Sequence, residues 1–162
     1  MAITYEPIAT TTLGSAAASV TFSSISGSYT DLVLVMSIRG SSDIESDIGM
    51  QLNSDTGSNY SMTRIYGQAA STGSDRNSNL TFAPIGTVST TQNVSVVQFQ
   101  NYSNSTTYKT ILTRNGIADV ATYGIVALWR NTAAITSILI NNNAAINYAA
   151  GSTFTLYGIA SA

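Results

Sequence analysis

Apolar residues recur at every second position along much of this chain, a period that belongs to strands packed on a core and not to helices. In Leu32-Val33-Leu34-Val35-Met36-Ser37-Ile38-Arg39 every even position is apolar, and the odd ones turn polar toward the end. Ile48, Met50 and Leu52 alternate with Gly49, Gln51 and Asn53. Tyr123, Ile125, Ala127 and Trp129 share one face, and the apolar Val126 and Leu128 on the other predict burial on both sides. The helix formers Glu, Lys and Gln are rare, whereas Val, Ile, Thr and Tyr are abundant.

Turn signals cut the alternating segments into short strands. Ser26-Gly27-Ser28 separates a strand near 18–25 from the next at 30–39, and Asp55-Thr56-Gly57 precedes one near 59–66. Asn115-Gly116 reads as a type I′ hairpin turn, because both residues tolerate positive φ. Asn141-Asn142-Asn143 is expected to close a hairpin after a strand at 134–140, and the last strand is expected at 152–159. Residues 67–79 include no core-forming side chain and read as an exposed loop. The sum is an all-β chain of about eight to ten strands, expected as a jelly-roll-like antiparallel β-sandwich, with a lectin-like or immunoglobulin-like sandwich as the alternative. The 162 residues suit a single domain. Residues 1–12 are either an N-terminal arm lying outside the sandwich or an edge strand, which Pro7 would suit.

The chemistry open to this chain is narrow. It has no cysteine and no histidine, so disulfides, thiolate metal sites and Ser–His–Asp or Cys–His catalysis are excluded. A carboxylate pair is the remaining catalytic device, and the densest acidic stretch is Asp43-Ile44-Glu45-Ser46-Asp47. Beside Gly40-Ser41-Ser42, it reads first as a solvated loop, with a calcium-ligand or catalytic role as the sharper reading. Asn53, Asp55 and Asn59 place oxygens at near-alternate positions around Gly57, which is either half of a calcium loop or a tight turn held by its own side chains. Neither cluster commits a residue as a site: no catalytic, cofactor-binding or metal-binding residue is assigned, no cofactor is expected and no enzyme activity is expected. The five Asn-X-Ser/Thr sequons, at Asn59, Asn79, Asn93, Asn101 and Asn104, are what a chain so rich in these residues produces by chance. Of the aromatics, Trp129 sits in an apolar strand and is expected in the core, while Tyr60, Tyr66, Tyr102 and Tyr108 flank polar segments and are better placed for contact.

Six basic and eight acidic residues make only 9% of the chain charged, against about 25% in ordinary soluble domains. Polarity comes instead from 23 Ser, 22 Thr and 13 Asn. Such a surface is either tolerated as it stands or meant to face other protein. Five Arg and one Lys, scattered singly, make no basic patch for nucleic acid. Apolar runs of five residues fall far short of the roughly 20 that span a bilayer, so no membrane partner is expected. With no basic-then-apolar segment at the N-terminus, assembly in a cytoplasm is expected.

Three stretches resemble bacteriophage virion surface proteins. Phe22-Ser23-Ser24-Ile25-Ser26-Gly27-Ser28-Tyr29-Thr30-Asp31-Leu32-Val33-Leu34 is similar to an opening in which a short turn leads into Tyr-x-Asp-Leu-x-Leu. Gln51-Leu52-Asn53-Ser54-Asp55-Thr56-Gly57-Ser58-Asn59-Tyr60-Ser61 resembles their Leu-x-Phe-Asn-x-Asp-x-Gly-x-Asn-Tyr segment, with Leu52 directly before Asn53 where the aromatic often lies. Gly151-Ser152-Thr153-Phe154-Thr155-Leu156-Tyr157-Gly158-Ile159 is similar to their last strand. The resemblance implies a β-sandwich module of a fibre, tail appendage or capsid decoration, and brings no catalytic residue with it. A short chain without shaft or repeat suits a capsid decoration (cement) protein that binds and stabilises the outer shell; the alternative is a receptor- or carbohydrate-binding module of a tail appendage. The expected partners are copies of itself, as a trimer by resemblance, and the major capsid protein or another virion protein. The expected location is the virion surface, with residues 2–12 as the docking element.

Overall fold

Where the sequence alternates, the backbone pairs. The computed structural model describes residues 4–42, 45–142 and 146–160, and these form twelve strands and no helix. In chain order they are β1 (Tyr5–Thr12), β2 (Ser19–Phe22), β3 (Asp31–Ile38), β4 (Ser46–Leu52), β5 (Tyr60–Gln68), β6 (Ser71–Leu80), β7 (Ala83–Val88), β8 (Asn93–Phe99), β9 (Lys109–Ile117), β10 (Ala121–Trp129), β11 (Ile138–Asn142) and β12 (Thr153–Ile159). Eight make one antiparallel sheet in the order β1-β12-β3-β8-β9-β10-β5-β6, and four make a second, β2-β11-β4-β7. The chain passes repeatedly from one sheet to the other, and the result is a jelly-roll-like β-sandwich. Inward positions of both sheets, among them Leu34 and Met36 of β3, Met50 and Leu52 of β4, Ile140 of β11 and Trp129 of β10, form a single apolar core.

Two strands beyond the expected eight to ten come from segments with too little apolar content to announce themselves. The clearest is β6, which occupies most of the stretch expected to be a loop, 67–79. It pairs with β5 from Gln68↔Ser71 to Tyr60↔Leu80, across a two-residue turn that Ala69 closes at φ 50°. Most of its residues are exposed, as expected, but exposure here does not mean loop. At a sheet edge a strand needs a backbone ladder on one side only, and Ser and Thr satisfy both open faces.

The Asn115-Gly116 turn is likewise corrected. Both residues lie inside β9, and the hairpin closes one step later, with Asp119 at φ 69° and Val120 N–H donating to the Ile117 carbonyl at 3.1 Å. Asn115 is withheld from the turn because the core uses its amide. It donates to Asn93 Oδ1 at 3.1 Å and Ser95 Oγ at 2.6 Å, and accepts from Thr87 N–H at 3.2 Å, so that β7 is tied across the sandwich to β8 and β9. Gly86, at φ 126°, makes room for that side chain. The expected hairpin at Asn141-Asn142-Asn143 is also absent: Asn141 and Asn142 belong to β11, between β2 and β4, and Asn143 lies outside the described residues. Of the N-terminal segment 1–12, residues 5–12 are an edge strand and not a free arm, since β1 pairs with β12 along its length with a register shift just after Pro7; residues 1–3 lie outside the described residues.

Candidate functional site

The half calcium loop is a turn. Asp55 accepts from Gly57 N–H at 2.9 Å, from Asn59 Nδ2 at 2.9 Å and from the indole Nε1 of Trp129 at 2.7 Å. Burial raises the Asp55 carboxyl, but these three donors outweigh it and hold the pKa below the ordinary value. Asn53 Oδ1 accepts from the backbone of Thr136 and Ser137, and its amide donates to the Ala134 carbonyl at 2.7 Å. The side-chain oxygens of Asp55 and Asn53 that a cation would need are already committed to holding the chain.

The acidic stretch lies at one end of the sandwich. Asp43 is outside the described residues. Glu45 accepts from Tyr123 Oη at 3.1 Å and Gln68 Nε2 at 3.0 Å. Arg64 donates to Asp75 at 2.7 Å, stands 3.7 Å from Asp47, and lies over the rings of Tyr66 and Tyr123 at 5.6 and 5.7 Å. Burial pushes the Asp47 carboxyl up; Arg64 pulls it back, and Glu45 and Asp75 add to the rise. In this small polar cleft Asp47 and Asp75 share Arg64 while Glu45 takes neutral donors, and among the described residues no group of three or more acids is arranged to hold a metal ion.

The tyrosines divide differently from the expectation. Tyr60 and Tyr102 are fully buried and only Tyr108 is open, while Tyr66 is half-buried against Tyr123. Tyr60 stacks beside Trp129 with ring centroids 6.4 Å apart, and burial pushes its hydroxyl to about 12. Trp129 is in the core, as expected.

The largest uncommitted feature is the outer face of the eight-stranded sheet. Val126 is 48% exposed and Leu128 half-buried, so the expected two-sided burial of β10 is provided by this chain on one side only. Cross-strand pairing places Val126 beside Leu112, Gly124 beside Ile65 and Val35 beside Val96. Ile65 is 67% and Val94 53% exposed on the same face. Gly124, without a side chain, floors a shallow hollow of about 420 Å³ walled by Ile65, Leu112, Val126 and Arg114. A second hollow of about 460 Å³ continues it past Ile65 toward Gly67 and Thr122. The sequence signal for this face is Val126 and Leu128 of β10, expected to be buried; Val94 and Val96 of β8, outward beside the inward Val97 and Phe99, are a second signal of the same kind that sequence reasoning missed.

Comparison with known proteins adds no family. No family model matches the chain, and no curated protein does. Among solved structures it is similar to the galectin LEC-6 of Caenorhabditis elegans, at 9% identity over 88% of this chain and 90% of that one, with a TM-score of 0.34. It is also similar to an alginate lyase in complex with alginate tetrasaccharide, at 9% identity over 94% and 80%, with a TM-score of 0.36. Likenesses this distant carry no argument about activity or ligand.

Proposed function

We propose that this chain is a structural protein of a bacteriophage virion, a capsid decoration protein that binds the outer shell and stabilises it. One observation carries the docking role: aliphatic side chains of four adjacent strands, Ile65, Val94, Leu112 and Val126, stand exposed on the outer sheet face around a shallow hollow. The virion assignment rests on the resemblance of the segments around Tyr29, Asn53 and Phe154. The reading needs no catalytic residue and no cofactor. β1 is paired with β12 on one edge and open on the other, so the docking role expected of residues 2–12 is set second to the exposed sheet face. Copies of the chain would associate through the two free sheet edges, β1 and β6, and a trimer is the proposed state. The alternative, a receptor- or carbohydrate-binding module of a tail appendage, calls for exposed tyrosines beside acids and amides. In the cleft at Glu45, Tyr123 is buried and the acids face donors of the same chain. The test is particle stability. Virions assembled without this protein should lose their genome at a lower temperature than complete ones, and adding the purified chain should restore the difference. Equal melting of the two particles would remove the stabilising role.

A further inference from the structure

On the part of the outer sheet face built by β5, β6, β8, β9 and β10, the charges are one-sided. Cross-strand pairing puts Arg76 of β6 opposite Thr63 and Arg114 of β9 opposite Gly124, so both guanidinium-bearing positions belong to the face of Ile65, Leu112 and Val126. Neither side chain has a hydrogen bond or ion pair with any described residue, whereas Arg64, on the inward side of the same sheet, is held by Asp75 and Asp47. The outward positions of β5, β6, β8, β9 and β10 include no acid, and the acid at the outward parity of β3, Asp31 at the strand's end, accepts from Asn101 N–H at 2.6 Å. In a chain of net charge −2, this face is therefore locally cationic and apolar together.

We infer that the outer face of the eight-stranded sheet docks a different protein, one that presents carboxylates around a protruding apolar side chain. This deepens, and rests on, the virion reading above by stating the chemistry of the shell surface that would be bound. Three arguments select that occupant. A second copy of this chain laid with this part of the face against its own would set Arg76 and Arg114 against their own kind, since the acid of the outer face, Asp31, stands at the end of β3 and already accepts from Asn101 N–H, which disfavours self-association here. A bilayer is flat and cannot enter the hollow floored by Gly124, and two arginines are too few to hold a domain on anionic lipid, where each adds only a weak attraction. A small ligand would have most of its surface left in water in so open a depression, where true ligand pockets bury about 70–90% of it. A knob on a protein surface fills the hollow, and acids beside it pair with guanidiniums that have no partner in this chain.

The experiment uses the full chain and phage particles assembled without it. Binding of the unmodified protein is measured with rising salt, next to Val126→Asp and to the double variant R76E/R114E. Both changes fall at exposed strand positions, and circular dichroism and melting confirm that each variant is folded. The expected result is binding that weakens with salt, falls roughly tenfold or more for either variant, and falls further for the charge reversal at low salt than at high salt. If the unmodified chain does not bind the particles, the virion reading fails. If it binds and both folded variants bind equally well, that reading stands and the sheet face is the wrong surface. Concentration-dependent dimers lost on Val126→Asp would replace the foreign partner with a second copy. Retention on vesicles of phosphatidylserine and phosphatidylcholine, lost on R76E/R114E, would replace it with a membrane.

Discussion

Replacing Gly86 with alanine is expected to destabilise the domain by about 3–5 kcal/mol, the sum of a strained backbone and an overfilled core. Gly86 has φ 126°, a conformation that side chains rarely adopt. A Cβ placed there would come within 2.6 Å of both Cβ and Nδ2 of Asn115. Asn115 cannot simply turn aside, because its amide holds Asn93, Ser95 and Thr87 in the interior, where a donor or acceptor left without a partner costs about 1–3 kcal/mol. Chemical denaturation should show a large fall in midpoint with little change in slope. A loss below about 1 kcal/mol would mean that β7 can shift and that the Asn115 network does not fix its place.

Asp55→Ala is expected to cost about 2–4 kcal/mol, because it strands a buried indole N–H and removes two further charge-assisted bonds. Trp129 is fully buried and its Nε1 has Asp55 as partner, so the loss is felt in the core although the aspartate itself sits in a turn. The same geometry sets a pH dependence. The folded-state pKa of Asp55 is lowered, so its ionised form stabilises the fold at any pH above the ordinary carboxylate value. That contribution is lost as pH falls from about 4 through the lowered folded value. The wild-type protein should therefore lose stability relative to Asp55→Ala on acidification, the two converging at low pH. Calcium should leave the melting temperature of the wild-type chain unchanged, since the Asp55 oxygens are already in use. A calcium-dependent rise abolished by Asp55→Ala would overturn the turn reading.

These residues also show how much the sequence could disclose. The sandwich was legible because inward alternation in β3, β4, β10 and β12 is set by burial, a local signal of period two. The edge strand β6 was not legible, because nothing apolar is required of a strand whose faces are both open and whose support is its neighbour's backbone. Asn115-Gly116 misled because a good turn former is equally a good buried hydrogen-bonding residue, and only the position of Gly86 across the core decides between them. The tyrosines at 60 and 102 misled for a related reason: proximity to polar turns was read as exposure. Their hydroxyls instead reach polar backbone from within the core, Tyr60 with Leu52 and Asp55, Tyr102 with Ser26. The docking face was half legible. Val126 and Leu128 announced a covered surface, but the sequence could not show that this chain leaves it open.

The central claim, a decoration protein of a virion shell, is tested most directly by counting. Quantitative mass spectrometry of purified phage particles, if this chain is encoded by a phage as proposed, gives its copy number relative to the major capsid protein. A decoration protein should be present in hundreds of copies per particle, in fixed ratio to the shell subunit. A few tens or fewer would assign the chain to a tail appendage, and its absence from purified particles would contradict the structural reading outright.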